Sequence, residues 1–557
     1  MAKSQAKNVE RRTIRERSRS EVAESSGGSS FDGFIGSAVV VVVAALLALA
    51  THMFWPKMLS SDVPRAITPL GLPKLTELPQ FGGESEERML WGTYRPGCYL
   101  GLRMRRPQSI LVGLMWFDPL KAARAPPNDI GLRHWAQEGD KLAKYGWRYH
   151  DGSTFGQQEI LDGEVRLVTD FVKSSAEGSG YGGDWALRIR ASRKPTAEPL
   201  ATGEGPGKIS LVFYVAHEDI AGASDWRLGG RSSEEGAALL AGVDDLIGEW
   251  GLHTGGSAST GKLRAFGVKT AHMHNLTDLV KGNLRVRGTG RGKQKARYPE
   301  LPEDVEDGAN ILMFQLTTAL PLDAEFVLLS SPKHGQVLPE SKAQRLEGLR
   351  GAKLEALVES KVAEFQERFG RTFELKPWQD ASGDKMKAGM QEMAQAALSN
   401  TLGAMGYFYG QSLVNSKAEG GRVMEYWPTA LYTAVPSRSF FPRGFLWDEG
   451  FHQLLVQQWD PQISRSALAH WLDLLNTDGW IPREQILGEE ARARVPSEFV
   501  VQASTPDSPL AHPPPLFLLL PLLPHTPGGG LLLPMIFYLG FPPTHPLPLS
   551  LLTFPDM

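Results

Sequence analysis

The chain has 557 residues, 59 of them Lys or Arg and 62 Asp or Glu, giving a formal charge of −3, a balance that excludes a strongly basic nucleic-acid binder. With 42% hydrophobic and 22% charged residues the composition is that of globular protein, and at roughly 150 residues per domain the length allows two to four domains. The single cysteine, Cys98, excludes a disulfide framework and any multi-cysteine metal centre.

Residues 1–33 carry seven basic side chains (Lys3, Lys7, Arg11, Arg12, Arg15, Arg17, Arg19) and almost no large apolar groups, so the segment is expected to be a disordered tail. Phe34 to Ala50 is uncharged, and residues to Trp55 extend it to the about 20 residues that a bilayer span needs. Residues 34–55 read as a transmembrane anchor; a buried core helix and a cleaved signal peptide are the alternatives. Basic residues crowd the N-terminal flank, which puts the N-terminus in the cytosol and the bulk of the chain in a lumen or outside. Residues 56–88, rich in Pro, Ser and Glu, read as a stalk.

Strand signals fill residues 89–335: 109–117, 164–172 with Val165, Leu167, Thr169 and Phe171 alternating, 184–192, 208–216 and 310–320. Strands so spaced, without intervening helices, predict an antiparallel β-sandwich. Asn275-Leu276-Thr277 is the one N-x-S/T triplet, which makes Asn275 a candidate glycan acceptor. The basic run 290–298 reads as a solvated loop.

In residues 336–502 the period changes. Leu346, Leu349, Leu354, Leu357, Val358, Val362, Phe365 and Phe369 predict an amphipathic helix. Met386, Met390, Met393, Ala397, Leu398 and Leu402 predict a second with its methionines in the core, and Ile463, Ala467, Leu468, Trp471, Leu472 and Leu475 a third. Segments such as 406–411 and 439–452 read as loops between helices, where function tends to sit. Residues 503–557 hold 14 prolines, no Lys, Arg or Glu, and two acids, Asp507 and Asp556; no apolar run there escapes interruption, and the segment reads as an aberrant tail.

P-loop, HExxH and GxSxG signatures are missing from the sequence. What stands out is Phe440 to His452, FFPRGFLWDEGFH, with DGWIPRE at 478–484. Carboxylates among tryptophans, phenylalanines and arginines suit sugars: rings meet pyranose C–H faces, while Arg and Asp bind hydroxyls. A carboxyl against an indole is partly desolvated, which moves it towards the range of a general acid. The competing reading is a helix N-terminus whose Asp448 and Glu449 complement the macrodipole while Trp447 fills core.

The first of these blocks in its full extent, PSRSFFPRGFLWDEGFHQ at 436–453, with WGTYRP at 91–96, GLMW at 113–116, YGW at 145–147, HDG at 150–152, GGDW at 182–185, GYFYGQ at 406–411 and DGWIPREQILGEEARARVP at 478–496, resembles glycoside hydrolase family 63 over residues 89–502. The resemblance implies removal of the outermost α-1,2-linked glucose from the triglucosylated N-glycan of nascent glycoproteins, with inversion, by an enzyme anchored type II in the endoplasmic reticulum membrane. It implies a multidomain fold in which a β-sandwich packs on an all-α (α/α)6 toroid, here incomplete, and it requires neither cofactor nor metal. By position, Asp448 corresponds to the general acid; Arg443, Trp447 and Phe441 to walls of the glucose pocket; Tyr409, Trp480, Arg483 and Glu484 are further candidates. Glu449 is an unsuitable base, since helix neighbours diverge by about 100° while inversion needs opposed carboxyls about 6.5–9.5 Å apart. The family's base, a glutamate, corresponds to a position beyond the 478–496 block. A carbohydrate-binding remnant without turnover is therefore the alternative expectation.

Overall fold

The computed structural model describes residues 74–78 and 90–503, apart from 127–128, 175–182, 196–206, 224, 230–237, 290–295, 332–339, 374–383, 417–419 and 477–479. The tail 1–33, the anchor 34–55 and residues 504–557 lie outside the described residues, as do most of the stalk, the run 290–295 and Asp478. Among the described residues no helix is long and apolar enough to cross a membrane.

Five expected strands form within two residues of their predicted ends: Ile110–Phe117, Val165–Ser174, Asp184–Arg193, Lys208–His217 and Ile311–Ala319. They belong to a six-stranded and an eight-stranded sheet. In the first, Lys208–His217 lies between Ile110–Phe117 and Ile311–Ala319; in the second, Asp184–Arg193 lies between Val165–Ser174 and Leu322–Ser330, all antiparallel. Leu167, Phe171, Leu187, Phe213, Phe314 and Phe326 pack between the sheets. Phe213 stacks on Phe326 at 3.8 Å between ring centroids, each ring contributing about 2–3 kcal/mol through burial.

Both outer faces are partly covered, which is why strands such as Ile110–Phe117 and Lys208–His217 read as near-continuous apolar runs. Val172, Ala186, Val327 and Leu329 on the back of the eight-stranded sheet are covered by Leu346, Leu349, Leu354 and Val358. Those four come from the first expected helix, which is broken in two, Lys342–Gly348 and Gly351–Thr372. Gly351 sits at the break with φ 54°, a conformation natural to glycine, and Ser341 with Gln344 forms a capping box on the first piece.

The helix Asp384–Leu402 docks on the strand Lys144–His150 through Asn400, whose amide accepts from the Trp147 N–H and donates to the Trp147 carbonyl, both at 3.0 Å. A Cβ at Gly146 would stand 2.8 Å from that amide, so this close approach requires glycine. Met393 is 72% exposed and Met390 half-buried rather than core, while Leu398 and Leu402 are buried as expected, together with Gln395 and Ser399. The third expected helix appears as Pro461–Leu472, with Ile463, Ala467, Leu468 and Trp471 buried.

Four further differences concern segments read as loop, stalk or tail, the first being that residues 446–452 of the expected loop 439–452 open the helix Leu446–Trp459. GYFYGQ is no loop: Met405–Gly410 pairs antiparallel with Thr429–Ala434, because buried Met405 and Tyr407 face Leu398, Leu402, Tyr432 and Val456. Residues Leu75–Glu77 of the stalk form a 3-10 turn whose Leu75 and Thr76 N–H groups donate to the Asp473 carboxylate just past Leu472, at 2.6 and 3.1 Å. Val501–Ala503 adds a parallel strand to Leu413–Ser416, so Ala503 belongs to the folded part.

Candidate functional site

The loop before the helix Leu446–Trp459 is pinned to the sandwich by one buried side chain. Arg438 donates through Nε to the Pro96 carbonyl, through Nη1 to Gln158 Oε1 and through Nη2 to the Cys98 and Tyr99 carbonyls, all at 2.9–3.0 Å. Burial lowers its pKa to about 10. Cys98 is itself buried, which pushes its thiol up and leaves it a packing residue.

From there the chain enters a short ladder, Gly444–Phe445 paired antiparallel with Glu484–Gln485. The two motif blocks, separate in sequence, thus meet. The Leu446 N–H donates to the Arg483 carbonyl at 2.8 Å, and the Arg443 guanidinium pairs through Nε with the Glu484 carboxylate. Both partners are buried, and Arg443 also lies 5.7 Å from the Phe441 ring centroid and 5.3 Å from that of Phe445. Of the other candidates, Trp480 is buried and Arg483 is exposed.

Asp448 and Glu449 occupy the first helical turn, where Phe445 offers no side-chain cap and negative charge complements the unpaired N–H groups. Their environments are opposite. Glu449 is fully buried and accepts from the Gln453 amide at 2.7 Å and the Ala434 N–H at 3.2 Å, with His452 Nδ1 at 3.0 Å. Asp448 is partly exposed, with no ion pair or side-chain hydrogen bond among the described residues. Trp447 beside it does not fill core: it is 55% exposed and meets Phe451, 47% exposed, edge to face at 5.1 Å. With Leu454 also exposed, residues 447, 451 and 454 form an open apolar stripe along the helix.

A cavity of about 190 Å³ lies between the sandwich and the helical part, lined by Arg95, Trp135, Tyr407, Tyr409, Arg443 and Glu490 among others. Of the residues predicted for the site, it takes in Tyr409 and Arg443. Asp448, Trp447, Phe441, Trp480, Arg483 and Glu484 lie outside its lining. The acid-and-ring surface and the cavity are two features, joined through Arg443 and its partner Glu484.

The model of the glycosyl hydrolase family 63 N-terminal domain matches residues 88–288, and that of the family's C-terminal domain matches residues 349–526. The chain belongs to glycosyl hydrolase family 63. It is 40% identical over 467 residues to a mannosyl-oligosaccharide glucosidase of Arabidopsis thaliana, which covers 83% of this chain and 51% of that protein. It is 38% identical over 457 residues to alpha-glucosidase 2 of the same plant, with 81% and 54% covered. To a probable mannosyl-oligosaccharide glucosidase of Schizosaccharomyces pombe it is 30% identical over 490 residues, with 78% and 55% covered. The chain spans about half the length of the curated relatives it matches.

Sequence reasoning missed Arg438, which ties one motif block to the sandwich, and the pair of Arg95 with Glu490 at 2.8 Å, which ties the other. A signal existed: both arginines stand inside the quoted motifs, and a buried arginine implies acceptors brought from elsewhere.

Proposed function

We propose that this family 63 member is an inverting exo-α-glucosidase acting on the distal α-1,2-linked glucose of the triglucosylated N-glycan, anchored by residues 34–55 in the endoplasmic reticulum membrane with residues 56 onward in the lumen. The observation that carries the reading is the division of labour at the start of the helix Leu446–Trp459: Glu449 is consumed by structure, while Asp448 faces solvent beside exposed rings. Asp448 is the acid that protonates the departing glycosidic oxygen, and the Trp447 and Phe451 rings offer apolar faces to sugar C–H groups. Glu449 does not supply the base, because its carboxyl is turned to the Ala434 strand. Phe441 and Arg483 add exposed groups for substrate, Tyr409 lines the neighbouring cavity, and the buried Arg443, held by Glu484, and Trp480 support them from within. The helices of residues 336–502 are read as part of an (α/α)6 toroid. Asn275, exposed at the start of the helix Leu276–Asn283, is the glycan acceptor.

The test is incubation of the purified full chain with a triglucosylated N-glycan, following the released sugar by proton NMR. β-Glucose is the expected first product, and Asp448→Asn is expected to lower kcat by about 10²–10⁴. Turnover that survives Asp448→Asn within twofold refutes the assignment of the acid. Glycan binding without turnover instead favours a membrane-tethered carbohydrate-binding protein.

A further inference from the structure

We infer that His272, His274 and Glu489 form a site for a divalent transition-metal ion of the zinc class at the rim of the cavity between the sandwich and the helical part. The two histidines flank Met273, whose side chain is buried against Leu276, Val280 and the back of the six-stranded sheet. With that anchor in the core, the neighbours on either side stand at the surface. Glu489 opens the helix Gly488–Arg492, and that helix is held to the sandwich by its next residue, Glu490, paired with Arg95. Both ligand-bearing backbones are therefore fixed, while the ligand atoms themselves face water.

His274 Nδ1 lies 3.5 Å and His272 Nδ1 3.8 Å from the same oxygen, Glu489 Oε2, and all three ligand atoms fall within 4.8 Å of one another. Those separations are too long for hydrogen bonds. They are close to what a shared tetrahedral ion demands, since bonds of 2.0–2.2 Å put neighbouring ligands about 3.3–3.6 Å apart. The remaining gap closes by rotation of His272, which is well exposed. Two imidazoles and one carboxylate select zinc, copper or nickel over calcium or magnesium, which take mainly oxygen ligands in larger number. A fourth position is open to water. Because His274 and Glu489 both line the cavity, an ion there would clamp its rim and hold the 488–492 helix to the sandwich.

The test is isothermal titration of the full chain, stripped with EDTA and dialysed, with zinc chloride, and in parallel with calcium chloride. One zinc per chain is expected, with calcium binding at least about tenfold weaker, and with affinity falling about tenfold or more in each of His272→Ala and Glu489→Gln. Both substituted side chains are exposed, so the fold is retained. Cobalt should give the intense visible absorption of a tetrahedral centre in the unaltered chain and not in the variants. Absence of a one-to-one zinc site, or zinc affinity unchanged in both variants, overturns the inference.

Discussion

Removing one side of the Arg443–Glu484 pair tests how the two motif blocks are held together. Both side chains are under 10% exposed, the pair adjoins the Gly444–Phe445 and Glu484–Gln485 ladder, and Arg443 Nη1 is already buried without an acceptor among the described residues. Glu484→Leu would leave a guanidinium buried with no counter-charge, and Arg443→Met would leave a lone buried carboxylate. Breaking a buried pair from one side costs about 3–5 kcal/mol, whereas replacing both partners by apolar groups of similar volume is near neutral. Each single variant should therefore lose about 3–5 kcal/mol and the double variant much less than their sum. With an m-value of about 3 kcal/mol per molar urea, each single loss moves the unfolding midpoint down by about 1 M or more. Tryptophan fluorescence follows the transition, since Trp480 sits next to this junction. Single losses below about 1 kcal/mol, or losses that simply add in the double variant, would refute the claim that the pair couples the blocks.

Glu449→Ala strips acceptors from the buried Ala434 N–H and Gln453 amide and should cost about 3 kcal/mol, read by the same denaturation; a loss under about 1 kcal/mol would show that water replaces the carboxylate. Burial lowers His150 to about 4, and its Nδ1 accepts the Gly152 N–H at 3.0 Å while Nε2 lies 2.8 Å from Thr93 Oγ1, so the folded protein needs the neutral ring. The unfolded chain then binds the extra proton: stability from His150 is fully present above pH 6.5 and declines by about 1.4 kcal/mol per unit as pH falls towards 4. Buried His134 and His470 are lowered in the same way and add contributions of the same sign, so His150→Asn should reduce the slope measured between pH 7 and 4 by up to about 1.4 kcal/mol per unit without abolishing it, and an unchanged slope would contradict the role given to His150. Gly152 has φ 96°, and a Cβ there would stand 2.6 Å from Ile463 Cδ1, so Gly152→Ala should lose about 1–3 kcal/mol in thermal or urea unfolding, where an unchanged midpoint would contradict the packing described.

Local pattern was enough to show the sandwich strands and the three helical stretches, because an apolar run bounded by turn residues and a 3.6-residue period are properties of neighbouring residues alone. It was also enough to single out Asp448 and the aromatic blocks around it. The phase of the helix Asp384–Leu402 was not decided there. Its methionines are as apolar as its leucines, and only the strand that Asn400 grips determines which face turns inward. GYFYGQ likewise becomes a strand only because Thr429–Ala434 arrives beside it. Asp448 and Glu449 are adjacent and chemically alike; the packing of the Ala434 strand buries one and leaves the other open. The ladder joining residues 444–445 to 484–485, the seat of Arg438 and the gathering of His272, His274 and Glu489 are contacts between distant segments, and a chain read in order carries the groups but not the meeting.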